Sequence, residues 1–569
     1  MAPTIESNVP RLSKWHLAII LGVGTPLAVG LAYWYIKRNK DSKKVDTPSE
    51  DIYENSTQSE KKPERSKSNF GKSDKSSIPE TPYEKAKAFK DKGNKLFKEG
   101  QFDKAVECYT SAIEICPSKH SNDLATFHQN RAAAFENLKN FQAVIDDTTK
   151  ALEYNKSYVK ALYRRAKAYE ELGELQKCLE DVTAVCMLDG FQTESYLKMT
   201  DKVLKELSKI VAKETFSKRE PQLPSKHFAR HYFISFSEDP IMKSVEEYKK
   251  QKKDPQDLSG FRLVIHHLAE ENFEEIIPNC NVEIERCGPD VPEAYLVRGT
   301  FRLLQGQIQD TLADLNHLLS MESVDVKVRV NCLIKIGTLK VQMEKMDEAL
   351  EDFNKAIELD LNNADIYLHR GQVYLLMDRI SDGLKDMEKS CSLNPNFPSA
   401  RAQKCYIQYR CGIQFNDESQ KKAALKGFEE IEASFPKCPE SFFLYAQVLS
   451  ECGDYEKAEM CFKKAGELDP NDPNVFVHRG ILLLQWKQDV DGALELLNKA
   501  IEMDQKCQFG YETLGSIEVQ RGNLRRGLEL FQKAVDTAHT ETELAHLYSL
   551  LLAAKAQAKA AESCGFNLE

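Results

Sequence analysis

Residues Ala86–Pro117 read AKAFKDKGNKLFKEGQFDKAVECYTSAIEICP, and the alternation of small and large side chains along them decides the fold. Gly93, Ala105 and Ala112 are small, Leu96, Phe102 and Tyr109 are large, and Pro117 closes the stretch. Two helices, A and B, packed back to back need small residues where their backbones approach. Large residues fill the space between successive hairpins, and a proline stops helix B. The same register returns with Ala132, Phe135, Phe141 and Ala151, and again with Ala166, Tyr169 and Gly173. Later copies carry Gly337, Ala349, Phe353 and Ala356, then Gly371, Tyr374 and Pro395, then Ala446, Gly453, Tyr455, Ala458, Phe462, Ala465 and Pro470. Two more run from Gly480 to Ala500 and from Gly515 to Ala534, and degenerate copies fit 258–290, 292–325 and 399–437, about eleven in all. A fixed period near 34 residues marks a stack of helical hairpins.

This register resembles the tetratricopeptide repeat. The expected fold class is therefore all-α, a tetratricopeptide-repeat superhelix, with a single transmembrane helix ahead of it. The period breaks between 193 and 257. That divides the array into a three-repeat module over 83–192, a connecting helix (to about Lys213) with an irregular linker over 193–257, and a superhelix of about eight repeats over 258–540. An Ala/Leu-rich helix and tail over 541–569 is expected to cap the last apolar face.

Composition agrees with a soluble array carrying one anchor. In 569 residues, 29% are charged and 41% hydrophobic, which excludes wholesale disorder and a polytopic membrane protein. Only 26 Gly and 21 Pro argue against a turn-rich β protein. A net charge of −10 excludes a general nucleic-acid binder. The 15 cysteines are odd in number, begin at Cys108 and form no CxxC pair or zinc-finger spacing. They read as free thiols in a reducing compartment.

The anchor is Trp15–Ile36, WHLAIILGVGTPLAVGLAYWYI, 22 residues without a charged side chain. As a helix it is roughly 33 Å long, enough to span a bilayer core. Trp15 marks one interface and Tyr33, Trp34 and Tyr35 the other. A cleaved signal peptide ending near Ala28-Val29-Gly30 is the competing reading; the aromatic cluster, the basic flank and the odd cysteine count speak against it. Lys37, Arg38, Lys40, Lys43 and Lys44 outnumber Arg11 and Lys14, so the downstream side faces the cytosol and residues 1–14 the opposite side. Residues 37–82, rich in Ser, Lys, Glu and Pro, form a disordered cytosolic tether. Moderate hydrophobicity with this flank suits the mitochondrial outer membrane, where residues 1–14 would face the intermembrane space. The endoplasmic reticulum stays open.

The inward faces of the first three A helices carry Lys90 and Asn94, Asn130, and Lys160 and Arg164. Pairs four apart share one helical face. Two amides and three cations on one concave surface can hold two carboxylates, each charge-assisted bond contributing roughly 1.5–3 kcal/mol. A chain ending in an acidic residue offers two carboxylates at its last position. After ordering costs, such contacts correspond to micromolar binding, about −8 kcal/mol. Arg131 and Arg165 are adjacent cations whose direction the register leaves open.

This constellation resembles the dicarboxylate clamp of co-chaperone tetratricopeptide domains. What the resemblance implies is that Lys90, Asn94, Asn130, Lys160 and Arg164 hold the C-terminal Glu-Glu-Val-Asp of the cytosolic seventy- and ninety-kilodalton heat-shock chaperones. The anchor, tether, clamp and long array together resemble the seventy-kilodalton receptor family of the mitochondrial outer-membrane import translocase. A second marker is LPSKHFARHYFISF over 223–236, similar to that family's PSxxFIxSYFxSF, with Ala229 and His231 as departures. The family implies an import receptor that docks chaperones, takes hydrophobic, carrier-type precursors with internal targeting signals, and works beside the other translocase subunits.

For the precursor groove the inward side of the long array offers Tyr367, His369, Arg370, Phe443, Tyr445, Phe476, His478 and Arg479 as candidates. No Walker A loop, dinucleotide fingerprint, HExxH or GxSxG is present, so neither catalysis, nor a cofactor, nor a metal is expected. His266-His267 reads as a solvated helix surface. The alternative function is a membrane-tethered co-chaperone or scaffold, on the endoplasmic reticulum for instance, without a role in translocation.

Overall fold

The computed structural model describes residues 81–251 and 258–565. The expected anchor at 15–36, the segment before it and nearly all of the tether lie outside them. Among the described residues there are 26 α-helices, one short 3-10 turn and no strand. No helix among them is long and apolar enough to cross a membrane. They divide into a smaller unit, 81–203 with 559–565, and a larger one, 204–251 with 258–558.

The smaller unit holds three hairpins: α1 (Pro82–Lys98) with α2 (Phe102–Ile115), α3 (Ser121–Asn137) with α4 (Phe141–Tyr154), and α5 (Val159–Glu171) with α6 (Leu175–Leu188). A capping box starts the array. The Glu84 N–H donates to Thr81 Oγ1 at 3.3 Å, the Thr81 N–H donates to Glu84 Oε2 at 2.8 Å, and Pro82 takes the first helical turn. Within the first hairpin Gly93 is obligatory, since a Cβ there would stand 2.7 Å from the ring of Tyr109. The A-to-B turns use the left-handed conformation at Gly100 (φ 73°) and Gly173 (φ 74°). The core is a row of small clusters, Ala86 with Ala112, Leu124 and Phe127, then Ala132 with Val144, Ile145 and Ala168. Each hairpin is thus buried by its neighbours.

In the larger unit, the segment read as an irregular linker is helical and part of the core. The division falls within α7 (Glu194–Lys218), and α8 (Lys226–Ile234) and α9 (Pro240–Gln251) follow. Ala229, Tyr232, Phe233, Phe236, Ile241 and Val245 are buried in the main apolar cluster. The reason is visible at 229, 232 and 233, one stripe of α8 continued by Phe236 just past its end, with no counterpart a repeat period away. Two polar locks hold this segment. Asp239 accepts from the Ile241 and Met242 N–H groups and from buried Lys335 Nζ at 3.2 Å. Asp365 accepts from Ser237 Oγ at 2.7 Å and from the Ser237 and Glu238 N–H groups at 2.9 Å each.

Eight hairpins follow: α10 (Phe261–Ala269) with α11 (Ile276–Glu285), α12 (Val291–Leu304) with α13 (Ile308–Ser320), α14 (Val326–Gln342) with α15 (Met346–Leu359), and α16 (Ala364–Leu376) with α17 (Ile380–Leu393). Then come α18 (Pro398–Gln414) with α19 (Glu418–Ser434), α20 (Pro439–Cys452) with α21 (Tyr455–Leu468), α22 (Pro473–Lys487) with α23 (Val490–Met503), and α24 (Gln508–Gln520) with α25 (Leu524–Thr537). The last helix is α26 (Glu541–Cys564). All 15 cysteines are free thiols and most are buried, and burial pushes Cys178 and Cys507 up to about 12.

Candidate functional site

Lys90 and Asn94 lie on α1, Asn130 on α3, and Lys160 and Arg164 on α5. The two amides meet directly: Asn130 Nδ2 donates to Asn94 Oδ1 at 3.2 Å, and the Tyr109 hydroxyl donates to the same oxygen at 2.8 Å. With its oxygen doubly occupied, Asn94 keeps its amide hydrogens for other acceptors. Burial pushes the Tyr109 hydroxyl up to about 12, so it stays a donor at any physiological pH.

Arg164 reaches from α5 to α3. Its Nε donates to Glu136 Oε2 at 2.6 Å, and Nη1 lies 3.4 Å from the carbonyl of Gln129, next to Asn130. Glu136 therefore holds the guanidinium by its inner edge. Lys90 is half-buried, with Nζ 2.6 Å from the exposed carboxylate of Asp91, and Lys160 is exposed. So Asn94 and Asn130 are bonded to each other between α1 and α3, Arg164 is tied from α5 to Glu136 and the Gln129 carbonyl of α3, and Lys90 and Lys160 lie four residues from Asn94 and Arg164 on their helices.

Arg131 and Arg165 have a different task. Arg131 grips Asp147 through Nε (2.8 Å) and Nη2 (2.6 Å), and Nη1 donates to Thr110 of the preceding hairpin at 2.9 Å. Arg165 repeats this with Asp181 and Thr149. Burial opposes the charge on Asp147, but Arg131 and His128 outweigh it and hold its carboxyl below the ordinary range.

The precursor candidates are mostly turned inward. Tyr367, His369, Phe443, Tyr445 and His478 are all buried. His369 packs on Phe236 with ring centroids 4.3 Å apart, and burial pushes it down to about 3, so it is neutral. Tyr445 stacks on Phe428 and receives Lys457 Nζ. Arg370 is committed to Asp386 and Arg479 to Glu459. Phe476 is partly exposed, with Lys499 Nζ 4.5 Å over its ring. Phe443 alone among the eight reaches the wall of a cavity of about 140 Å³ in the larger unit, shared with Phe228, Val475, Phe509 and the acids Glu440 and Asp469.

Sequence reasoning missed one convergence on that wall. His227 and His231 both direct Nε2 at Asp469 Oδ2, at 3.2 and 3.0 Å. The only signal was a histidine pair four apart; its partner lies 238 residues away.

Stacked helical hairpins with this recurring register of small and large residues define a tetratricopeptide-repeat protein. Tetratricopeptide-repeat families match residues 86–119, 337–378, 364–397 and 439–472. The mitochondrial import receptor subunit TOM70 of Rattus norvegicus is 42% identical over 99% of this chain and 94% of its own length. That of Homo sapiens is 42% identical over 98% and 94%. The crystal structure of the yeast Tom70 is 23% identical, covering 83% of this chain and 96% of its own, with a TM-score of 0.46. The chain belongs to the TOM70 family of mitochondrial import receptor subunits. It is a receptor of the mitochondrial outer membrane and not an enzyme.

Proposed function

We propose that the inner face of α1, α3 and α5 binds the acidic C-terminal tails of cytosolic seventy- and ninety-kilodalton heat-shock chaperones. The observation that supports this reading is that α3 bonds to both neighbouring A helices on this face, Asn130 to Asn94 of α1 and Glu136 with the Gln129 carbonyl to Arg164 of α5. Asn94 amide hydrogens and the outer edge of Arg164 grip the terminal carboxylates, and Lys90 and Lys160 add charge at either end. The docked chaperone delivers a hydrophobic, carrier-type precursor, which the larger unit receives before transfer to the translocase pore. Residues 15–36 anchor the chain once, with the N-terminus in the intermembrane space and the repeats in the cytosol. Titration of a Glu-Glu-Val-Asp peptide into the wild-type chain and Arg164→Ala tests the docking step. Equal affinities would sink it.

A further inference from the structure

We propose that His227, His231 and Asp469 form a binding site for one divalent transition-metal ion of the zinc type. Positions four apart put both imidazoles on one face of α8. Ser225 fixes the start of that helix by accepting from the Phe228 N–H at 3.2 Å. Asp469 comes from the turn after α21. The ring centroids of the two histidines are 4.2 Å apart, and the three ligand atoms lie within 4.8 Å of one another.

The spacing fits a metal shell. Two ligands bound at 2.0–2.1 Å in tetrahedral geometry stand about 3.3 Å apart. Each histidine Nε2 is 3.0 or 3.2 Å from the carboxylate oxygen, so a small displacement admits an ion between them. The donor set, two imidazoles and one carboxylate, suits zinc, cobalt or nickel and not magnesium or calcium, which take oxygen ligands. Charge also fits. Asp472 Oδ1 lies 3.9 Å from His227 Nε2, so two carboxylates face the position a dication would take. The side chains of His227, Asp469 and His231 are only 11%, 18% and 30% exposed, and all three line the cavity, whose space leaves a coordination position open to water or an occupant. Bound metal would tie α8 to a turn 238 residues further along the chain.

The test uses the full chain, stripped with a chelator and titrated with Co²⁺, then with Zn²⁺ against a chromophoric competitor. One equivalent of Co²⁺ giving visible d–d absorption without a thiolate charge-transfer band, and displaced by Zn²⁺, is the expected result. His231→Gln and Asp469→Asn should each weaken Zn²⁺ binding at least about tenfold, while His267→Gln leaves it unchanged. Helicity and melting without metal must match the wild type. Should one variant not fold, the other carries the comparison, and the wild-type cobalt spectrum decides independently. A thiolate band, no d–d absorption, or variants that bind like the wild type would overturn the site and leave a histidine pair sharing a carboxylate.

Discussion

Asp386 stands sixteen residues beyond Arg370 and takes its guanidinium at both ends, Nε at 2.7 Å and Nη2 at 2.9 Å. The same sixteen-residue step joins Arg131 to Asp147, Arg165 to Asp181 and Arg298 to Asp314. In each case Nη1 is left to reach a hydroxyl or amide of the preceding hairpin: Thr110, Thr149, Asn281 and Asn354. These arginines brace the array. Arg370→Ala should therefore destabilise the larger unit by about 2–3 kcal/mol, because it strands a mostly buried aspartate. Denaturant titration followed by circular dichroism would measure this, and an unchanged midpoint would refute the brace.

Arg164 is the contrasting case. Its one carboxylate partner, Glu136, is part-exposed, so Arg164→Ala should cost under about 1 kcal/mol of stability while removing most tail affinity. Glu136→Gln should leave the fold intact and weaken the tail several-fold by freeing the guanidinium to wander. Calorimetric titration of both variants separates orientation from charge.

Tail binding should also weaken steadily as salt rises. The expected contacts are partly exposed ions, screened over about 10 Å at 0.1 M. A flat response in a salt series would indicate apolar recognition instead.

The buried pair Lys335–Asp239 offers a test of the segment 226–251. Both side chains are almost wholly removed from solvent. Lys335→Ala should cost about 3–5 kcal/mol, because an unpaired carboxylate is left in the core. Lys335→Met with Asp239→Asn should recover much of that loss in the same unfolding experiment, since the asparagine oxygen can still cap α9.

Asp365 gives a pH dependence of known sign. Burial pushes its carboxyl up to about 6, against the bonds from Ser237 and Glu238. A raised folded value means stability present below the ordinary carboxylate range and lost as pH rises through 6, by up to roughly 3 kcal/mol. The stability of Asp365→Asn relative to wild type should therefore improve between pH 4 and pH 7. The same gap at both values would show that burial does not govern this group.

How much of this was legible in advance depends on range. Gly93 with Tyr109, Gly337 with Phe353 and Gly515 with Phe531 are sixteen-residue contacts in which a Cβ would collide with a ring. Their repetition made the hairpin readable. The arginine–aspartate step has the same length and was equally present, yet Arg370 read as a groove residue because its acid was not sought. The aromatic segment 226–236 looked irregular because nothing a repeat away resembles it. The partners of residues 226–239, namely Asp365, Lys335 and Asp469, become neighbours only on folding. The placing of Asn94, Asn130 and Arg164 on successive A helices was legible; that Asn130 would bond Asn94 and that Glu136 would steady the arginine was not.

The arginine brace has one more consequence. Its ionic half closes inside a single hairpin, and only a neutral hydroxyl or amide is borrowed from the neighbour. A hairpin so equipped is a portable part. Gene duplication or loss can lengthen or shorten the stack without stranding a formal charge at the new junction, so such arrays can change reach faster than they change chemistry.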